Sequence, residues 1–292
     1  MITKTSNRAK GFTLIEMMVA LVIGLLITLV VLQAYLSGLG TQTAQTGAAR
    51  AQESSRIAFD LLAHSLRQAG YKNPKAPALG FCDTTVARLV VSNDPATIDP
   101  TAANLSGSAV NIVNTSDAFR VRYFGEGLPF APFSTDGTIR DCLGNTVAPN
   151  SLVEDTFFIA ADAANNNEPT LFCYTTNAAA RGNVPLVPGI ESLQVLYGED
   201  SDGNGIINRY VNGASLTNPN ALNSIRSVKL SVIARTAGTH AVNRTTQAIN
   251  HFGTAYSGAN SGDAAAIFTA PADGRTRRHT TTTVALRNLC PV

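Results

Sequence analysis

One stretch constrains this chain more than any other: an uncharged apolar run from Met17 to Leu32, entered through Gly11-Phe12-Thr13-Leu14-Ile15-Glu16. From Phe12 to Leu36 it makes about 37 Å of helix at roughly 1.5 Å per residue, enough to cross a hydrocarbon core about 30 Å thick. No other segment of the sequence stays apolar for as long. Ahead of it stand Lys4, Arg8 and Lys10 with no acidic residue, so the short amino-terminal side is expected in the cytoplasm and the rest is expected to be exported. The small-residue site that would end a removable secretory signal is poorly formed in Gln33-Ala34-Tyr35-Leu36-Ser37-Gly38.

Glu16 is the anomaly. An unpaired carboxylate in an otherwise uncharged membrane helix costs about 2.5 to 3.5 kcal/mol or more, so it reads as functional, with snorkelling to the interface as the plain alternative. Lys10-Gly11-Phe12-Thr13-Leu14-Ile15-Glu16 resembles the type III signal of type IV prepilins and pseudopilins. The resemblance implies cleavage between Gly11 and Phe12 by a prepilin peptidase, N-methylation of Phe12, and Glu16 as the fifth residue of the mature chain. A new ammonium at Phe12 and Glu16 of a neighbouring subunit would relieve each other's desolvation only in an assembly, so the pair would set axial register.

At 292 residues, with 45% apolar residue types and 14% charged, the chain can supply one large domain or two small ones beyond this helix. Loss of the three leader cations takes the formal charge from +2 to −1, which leaves no basic field for non-specific nucleic-acid binding. Cys82, Cys142, Cys173 and Cys290 are widely spaced with no C-x-x-C pair, which speaks against zinc and, in an exported domain, for disulfides. Three pairings are open. The preferred one joins Cys82 to Cys142, closing the early loops onto the helix end, and Cys173 to Cys290, fastening the carboxyl terminus to a central strand.

Beyond the membrane the helix is expected to continue to Gly70. Ala44, Ala48, Ala49, Ala51 and Ala58 favour it, and Ile57, Leu61, Leu62 and Leu66 suggest one apolar face turned to a globular domain. Gly38, Gly40 and Gly47 predict a frayed or bent zone in the middle, and Asn73-Pro74 cannot continue the helix. From Leu79 onward the pattern is short β-segments: residues 88–91, 119–123, 156–160, 171–175, 192–197, 227–235 and 281–286. Residues 93–107, 161–167 and 250–278 read as surface loops, the last as a candidate for disorder. The fold class is α+β: a long N-terminal helix, half membrane-spanning and half amphipathic, packed on an antiparallel β-sheet domain. The expected divisions are a leader 1–11, a membrane or fibre-packing helix 12–36, an amphipathic extension 37–70 and a periplasmic β-rich head 71–292.

The best candidate for chemistry in the exported part is Asp200-Ser201-Asp202-Gly203-Asn204-Gly205. Asp200, Asp202 and Asn204 stand at positions 1, 3 and 5 of a calcium loop, Ile206 offers a carbonyl at 7 and Asn208 an oxygen at 9. Position 12 is Val211, where such a loop needs a bidentate glutamate, so a Ca²⁺ site would be incomplete and weak. The competing reading is a polar hairpin turn, since Asp, Asn and Gly are also what tight turns require. His64, His240, His251 and His279 have no i, i+4 metal spacing, and no nucleophile elbow or phosphate loop is present. Arg275-Thr276-Arg277-Arg278-His279 is a basic cluster without an interleaved aromatic, more readily a solvated loop than an anionic-surface contact.

Ser65-Leu66-Arg67-Gln68-Ala69-Gly70-Tyr71 with Cys82, Ile190 to Asp200, Ile225 to Arg235 and Val284-Ala285-Leu286-Arg287-Asn288 resemble the PilW family of minor pilins. That resemblance implies a non-enzymatic subunit of the type IV pilus, anchored in the inner membrane and later carried into a surface fibre that serves adhesion and twitching motility. Its partners would be the prepilin peptidase, other minor and major pilins and the inner membrane, with no specific nucleic acid, no small-molecule substrate and no certain cofactor. Its role would be to prime or cap pilus assembly; the alternative is a minor pseudopilin of type II secretion. Major pilins often carry a proline about twenty residues into the mature helix, and here none precedes Pro74, which fits a minor subunit.

Overall fold

An apolar run followed by an alanine-rich polar stretch, with no proline in either, produces one long helix, α1 (Leu14–Gln68). The structure, a computed structural model, describes residues 11–73, 89–92, 116–128, 131–179, 182–216, 222–239 and 245–289. Two compact units divide at Thr46 and Gly47. In the first unit the helix runs unbroken through Gly38 and Gly40, so the frayed zone expected there is absent. Propagation from good helix formers on both sides costs little once a helix is nucleated, and this outweighs isolated glycines.

In the second unit, the helical part from Gly47 buries Ala51, Ser55, Ala58, Leu62, Ser65, Leu66 and Ala69. The spacing of three and four marks one stripe, built largely of small residues that let the helix backbone come close to its neighbours. Ile57, expected on that face, is 42% exposed and lies off the stripe. The helix ends where expected: Gly70 takes φ +72°, its N–H donates to Arg122 O at 2.8 Å, and Tyr71 N–H closes on Gln68 O. Asn288 Nδ2 donates to the carbonyls of Arg67 and Ala69, so the carboxyl-terminal segment satisfies orphan acceptors of the helix end.

The described strands are β1 (Leu89–Ser92), β2 (Ala118–Phe124), β3 (Gly127–Leu128), β4 (Ala131–Thr135), β5 (Leu152–Asp162), β6 (Glu168–Thr175), β7 (Gly182–Pro188), β8 (Ile190–Glu199), β9 (Arg209–Val211), β10 (Ile225–Arg235), β11 (Gln247–Asn250), β12 (Ile267–Ala270) and β13 (Arg277–Ala285), with a short α2 (Thr254–Ala259) between β11 and β12. They form a five-stranded sheet in the order β1-β2-β5-β6-β7, a four-stranded sheet β13-β10-β8-β9, and two small pairs, β11-β12 and β3-β4. Every strand pairing is antiparallel. All seven sequence-predicted strands are present, and β7 was missed because Pro185 and Pro188 read against a strand; it survives as an edge, where proline is tolerated. Residues 250–278, read as loop, hold α2 and β12, and residues 93–107 lie outside the described residues.

Leu62 and Leu66 of α1, Phe119, Phe157 and Leu171 of the first sheet, and Leu193, Val195, Leu230 and Val232 of the second belong to one buried apolar cluster. β8 is buried at all ten positions, so both its faces need cover. One face meets the shared core. Over the other lie His251, Phe268 and Ala270 around the β11-β12 pair, with Phe268 and Ala270 packed on Ile233 of β10. Gly198 of β8 is closely approached: a Cβ there would stand 2.4 Å from Ser227 Oγ, so a larger residue would have to displace that side chain.

The preferred disulfide pairing is corrected by the structure, in which Cys142 is bonded to Cys173. Residues between β4 and β5 fold back over the first sheet, where Asp155 Oδ2 accepts the Cys142 N–H at 2.9 Å and Asn177 Nδ2 donates to Asp141 at 2.8 Å. Those tertiary hydrogen bonds, invisible in the spacing of cysteines, bring Cys142 to β6. A bridge spanning 31 residues contributes about 3–4 kcal/mol on the chain-entropy account. Cys82 and Cys290 lie outside the described residues.

The buried stripe of α1 has a direct test in chemical denaturation of the detergent-solubilised protein. Leu62→Ala should lower stability by about 2–5 kcal/mol, whereas Ile57→Ala should cost about 0.5 kcal/mol or less. Equal losses would reject the assignment of the two faces.

Candidate functional site

The amino-terminal end of α1 is built by its own sequence. Thr13 Oγ1 accepts the Glu16 N–H at 3.3 Å, while Glu16 Oε2 accepts the Thr13 N–H at 3.3 Å and its hydroxyl at 3.2 Å. This reciprocal pair is a capping box, T-x-x-E, and it pins the helix start two residues after Gly11. The spacing is readable in the sequence, where Glu16 is weighed as a membrane charge and an assembly partner but not as a cap. Gly11 stands clear, with nothing within 4 Å of where a Cβ would sit. From Phe12, 83% exposed, to Leu36, the large apolar side chains are all exposed, and α1 is the one described helix long and apolar enough to cross a membrane. A surface apolar on every side of a helix requires lipid or other helices around it. The leader residues 1–10 lie outside the described residues.

In the second unit, β8 and β9 form the expected hairpin, with Glu199 paired to Arg209 across a loop that contains all the candidate calcium ligands. The loop's oxygens are directed at its own donors. Asp200 Oδ1 accepts the N–H groups of Gly203 and Asn204 at 2.9 and 3.1 Å, and Oδ2 accepts that of Gly205 at 2.9 Å and the Arg226 guanidinium at 3.0 Å. Asn204 Oδ1 accepts the Ile206 N–H, Asn208 Oδ1 accepts the Ser201 N–H, and Asp202 Oδ2 accepts the amides of both asparagine side chains. Burial works against a charge on Asp200, but the Gly205 N–H, Arg226 and the Gly203 N–H outweigh it and hold the carboxyl below its ordinary value. A cation at position 1 would compete with Arg226, a cation already in place. The geometry therefore fits the turn reading, with Gly203 and Gly205 at φ +76° and +87°.

A second grouping was not foreseen. One ligand atom each from Cys142, Asp155 and Cys173 lies within 4.8 Å of the others. By ligand type this set suits a thiophilic metal and not Ca²⁺, and it would need reduction first, because a disulfide offers no thiolate. As it stands, Asp155 serves the loop: it also accepts the Tyr123 hydroxyl, and burial pushes its carboxyl up to about 6.

The basic cluster is not a solvated loop. Arg277 pairs with Glu191 at 2.6 Å and with Asp273 at 2.8 Å, Arg275 with Glu168 at 3.3 Å, and Arg235 with both glutamates. Glu168 belongs to the five-stranded sheet and Arg235, Glu191 and Arg277 to the four-stranded one, so the network ties the two together. The Arg277 guanidinium draws the Asp273 carboxyl down to about 2. His251, expected at a surface or partly buried, is wholly buried, bonded to Ser231 Oγ at 2.8 Å and Ser192 Oγ at 3.1 Å. Burial, then the neighbouring His279, lowers its pKa to about 3, so the ring is neutral and structural.

An amino-terminal apolar helix opened by Thr13 and Glu16, on a chain whose head is antiparallel sheet around an amphipathic helix, defines a type IV pilin or pseudopilin. Residues 6–32 match the prokaryotic N-terminal methylation motif, and residues 156–288 match the family described as Type IV Pilus-assembly protein W. Residues 156–288 thus carry PilW-family sequence, and the amino-terminal helix carries a prepilin-type methylation motif. Among solved structures, a type IV-like pilin from Thermus thermophilus is similar at 14% identity and a TM-score of 0.46, over 82% of this chain and 96% of that one. No curated protein matches.

Two outcomes follow for the head. Millimolar calcium against chelator should leave the melting temperature unchanged, while Asp200→Ala should lower it in both conditions; a calcium-dependent rise abolished by Asp202→Ala would restore the metal reading. For His251, the folded value near 3 lies below the unfolded value of 6.5, so its contribution is fully present above about pH 6.5. It is lost progressively as pH falls toward about 3, by at most about 5 kcal/mol. Unfolding free energies measured across this window should fall less steeply in His251→Gln than in wild type, and parallel slopes would refute the assignment.

Proposed function

We propose that this chain is a minor pilin of the type IV pilus. The prepilin peptidase cuts between Gly11 and Phe12, Phe12 is N-methylated, and helix 12–36 holds the protein in the inner membrane with its head, residues 71–292, in the periplasm. The subunit then passes into the fibre by exchanging lipid for the helices of other minor and major pilins, where it primes or caps assembly. The observation that carries this reading is a helix exposed and apolar on all sides, headed by a carboxylate that, among the described residues, is held by Thr13 alone. Glu16 can exchange its bond to the Thr13 hydroxyl for the methylammonium of a neighbouring Phe12. That exchange satisfies two buried charges at once and ties insertion to register. The match of residues 156–288 to the pilus-assembly family supports the pilus over type II secretion.

Mass spectrometry of the native protein should find N-methyl-Phe12 as its first residue. Glu16→Ala should be processed normally yet fall at least tenfold in sheared fibres. An intact Met1 terminus in a peptidase-positive host, or full incorporation of Glu16→Ala, would defeat the proposal.

A further inference from the structure

The sheet edges of the head are not equivalent. β1 has four residues and β9 three, and β7 carries Pro185 and Pro188 with a shift in its register against β6; short length, proline and bulges are the devices that keep an edge from pairing with another chain. β13 has none of them. It is the terminal strand of the four-stranded sheet, nine residues or about 30 Å long, with no proline, glycine, lysine or acidic residue, and its register with β10 is unshifted from Ser227↔Ala285 to Arg235↔Arg277.

Which backbone groups it leaves open follows from two hydrogen bonds. Leu286 N–H donates to Arg226 O and Thr236 N–H donates to Thr276 O, both at 2.9 Å. Hydrogen-bonded pairs alternate along an antiparallel ladder, so the even-numbered residues of β13 bond to β10. Arg277, His279, Thr281, Thr283 and Ala285 therefore turn N–H and C=O away from the sheet. Arg278, His279, Thr280, Thr281 and Thr283 are exposed. The edge is also basic: Arg275 and Arg277 are occupied by Glu168, Glu191 and Asp273, but Arg278 and Arg287 are exposed with no carboxylate partner among the described residues, and no acidic residue occurs between Arg277 and Leu289.

We propose that β13 is a docking edge that receives an extended, acidic strand from a different pilin subunit, lengthening the four-stranded sheet across the subunit boundary. Charge decides against a second copy as the occupant, because the edge strands β1, β7, β9 and β13 of this chain contain no acidic residue. The threonines add to the fit, since β-branched side chains favour cross-strand pairing. Backbone pairing supplies attraction without regard to sequence, and Arg278 and Arg287 select for carboxylates opposite them.

The proposal rests on the reading of the chain as a pilin subunit, so it is tested in the membrane fraction, before fibre incorporation. A photo-crosslinking residue is placed at Thr283 of the full-length protein in its host, and the linked peptide is identified by mass spectrometry. The expected product is an acidic, proline-free segment of another pilin subunit. Thr281→Pro removes an outward N–H and no ladder bond to β10, a position where proline is tolerated in an edge strand, so it should cut the crosslinked yield at least tenfold with little change in melting temperature. Arg278→Glu, at an exposed side chain, should do the same, and it decides the matter if the proline variant misfolds. A crosslink to β13 of a second copy, no crosslink to a pilin subunit, or yields unchanged by Arg278→Glu would overturn the docking edge. Failure of Glu16→Ala to affect fibres bears on the subunit reading alone.

Discussion

A helix that is apolar on every side must be surrounded by an apolar phase, and the amino-terminal helix of this protein is of that kind yet exposed from Phe12 to Leu36. Its backbone is satisfied internally, its threonine hydroxyl at Thr28 bonds Gly24 O at 2.7 Å, and Thr13 and Glu16 close its first turn on each other. What it lacks is a surrounding apolar phase. Lipid and a bundle of like helices are two environments that supply one, and the proposed passage from membrane to fibre would meet both. Glu16 is the charged exception, and its carboxylate is held locally by bonds to Thr13 that, under the proposed function, a cationic partner would replace.

The head solves a different problem. From Ala51 onward the helix is apolar along one stripe only, and that stripe enters a core shared by both sheets. Small residues in the stripe, Ala51, Ser55, Ala58 and Ser65, permit close packing, while Leu62 and Leu66 fill the space between the strands. β8 then imposes the rest. Buried at every position, it needs an apolar layer on one face and a lid on the other, and its polar residues Ser192 and Gln194 cannot be left unpaired beneath that lid. His251 answers Ser192, and the glutamate–arginine network answers Glu191, whose side chain is 3% exposed. Buried ion pairs of this sort contribute little net stability but are costly to break, so they act to hold one arrangement of the sheets against others.

Among the described residues, the acidic groups of both candidate ligand clusters are engaged in structural hydrogen bonds. The Asp200–Asn208 loop carries the residue types of a cation site, yet its oxygens accept from its own backbone and from Arg226. Asp155 is likewise committed, to Cys142 and Tyr123. Residue type and spacing are shared by turns and ion sites; the direction of each lone pair separates them, and that direction belongs to the fold.

The local signals in the sequence determined much of this protein. A long apolar run, a glycine before Phe12 and a carboxylate at Glu16 were enough to define the helix and its processing signal, and alternation within residues 119–123 and 227–235 was enough to place strands, because these features follow from chain geometry at short range. Tertiary structure alone decided the edges of the helix's buried face, which the sequence had already placed at Leu62 and Leu66: Ala58 went inside and Ile57 outside, because burial depends on where the sheets lie. It likewise joined Cys142 to Cys173, turned a basic run into an inter-sheet clasp and drew strand β7 out of a proline-containing segment. Each of these rests on contacts between residues tens of positions apart, whose proximity no local pattern encodes.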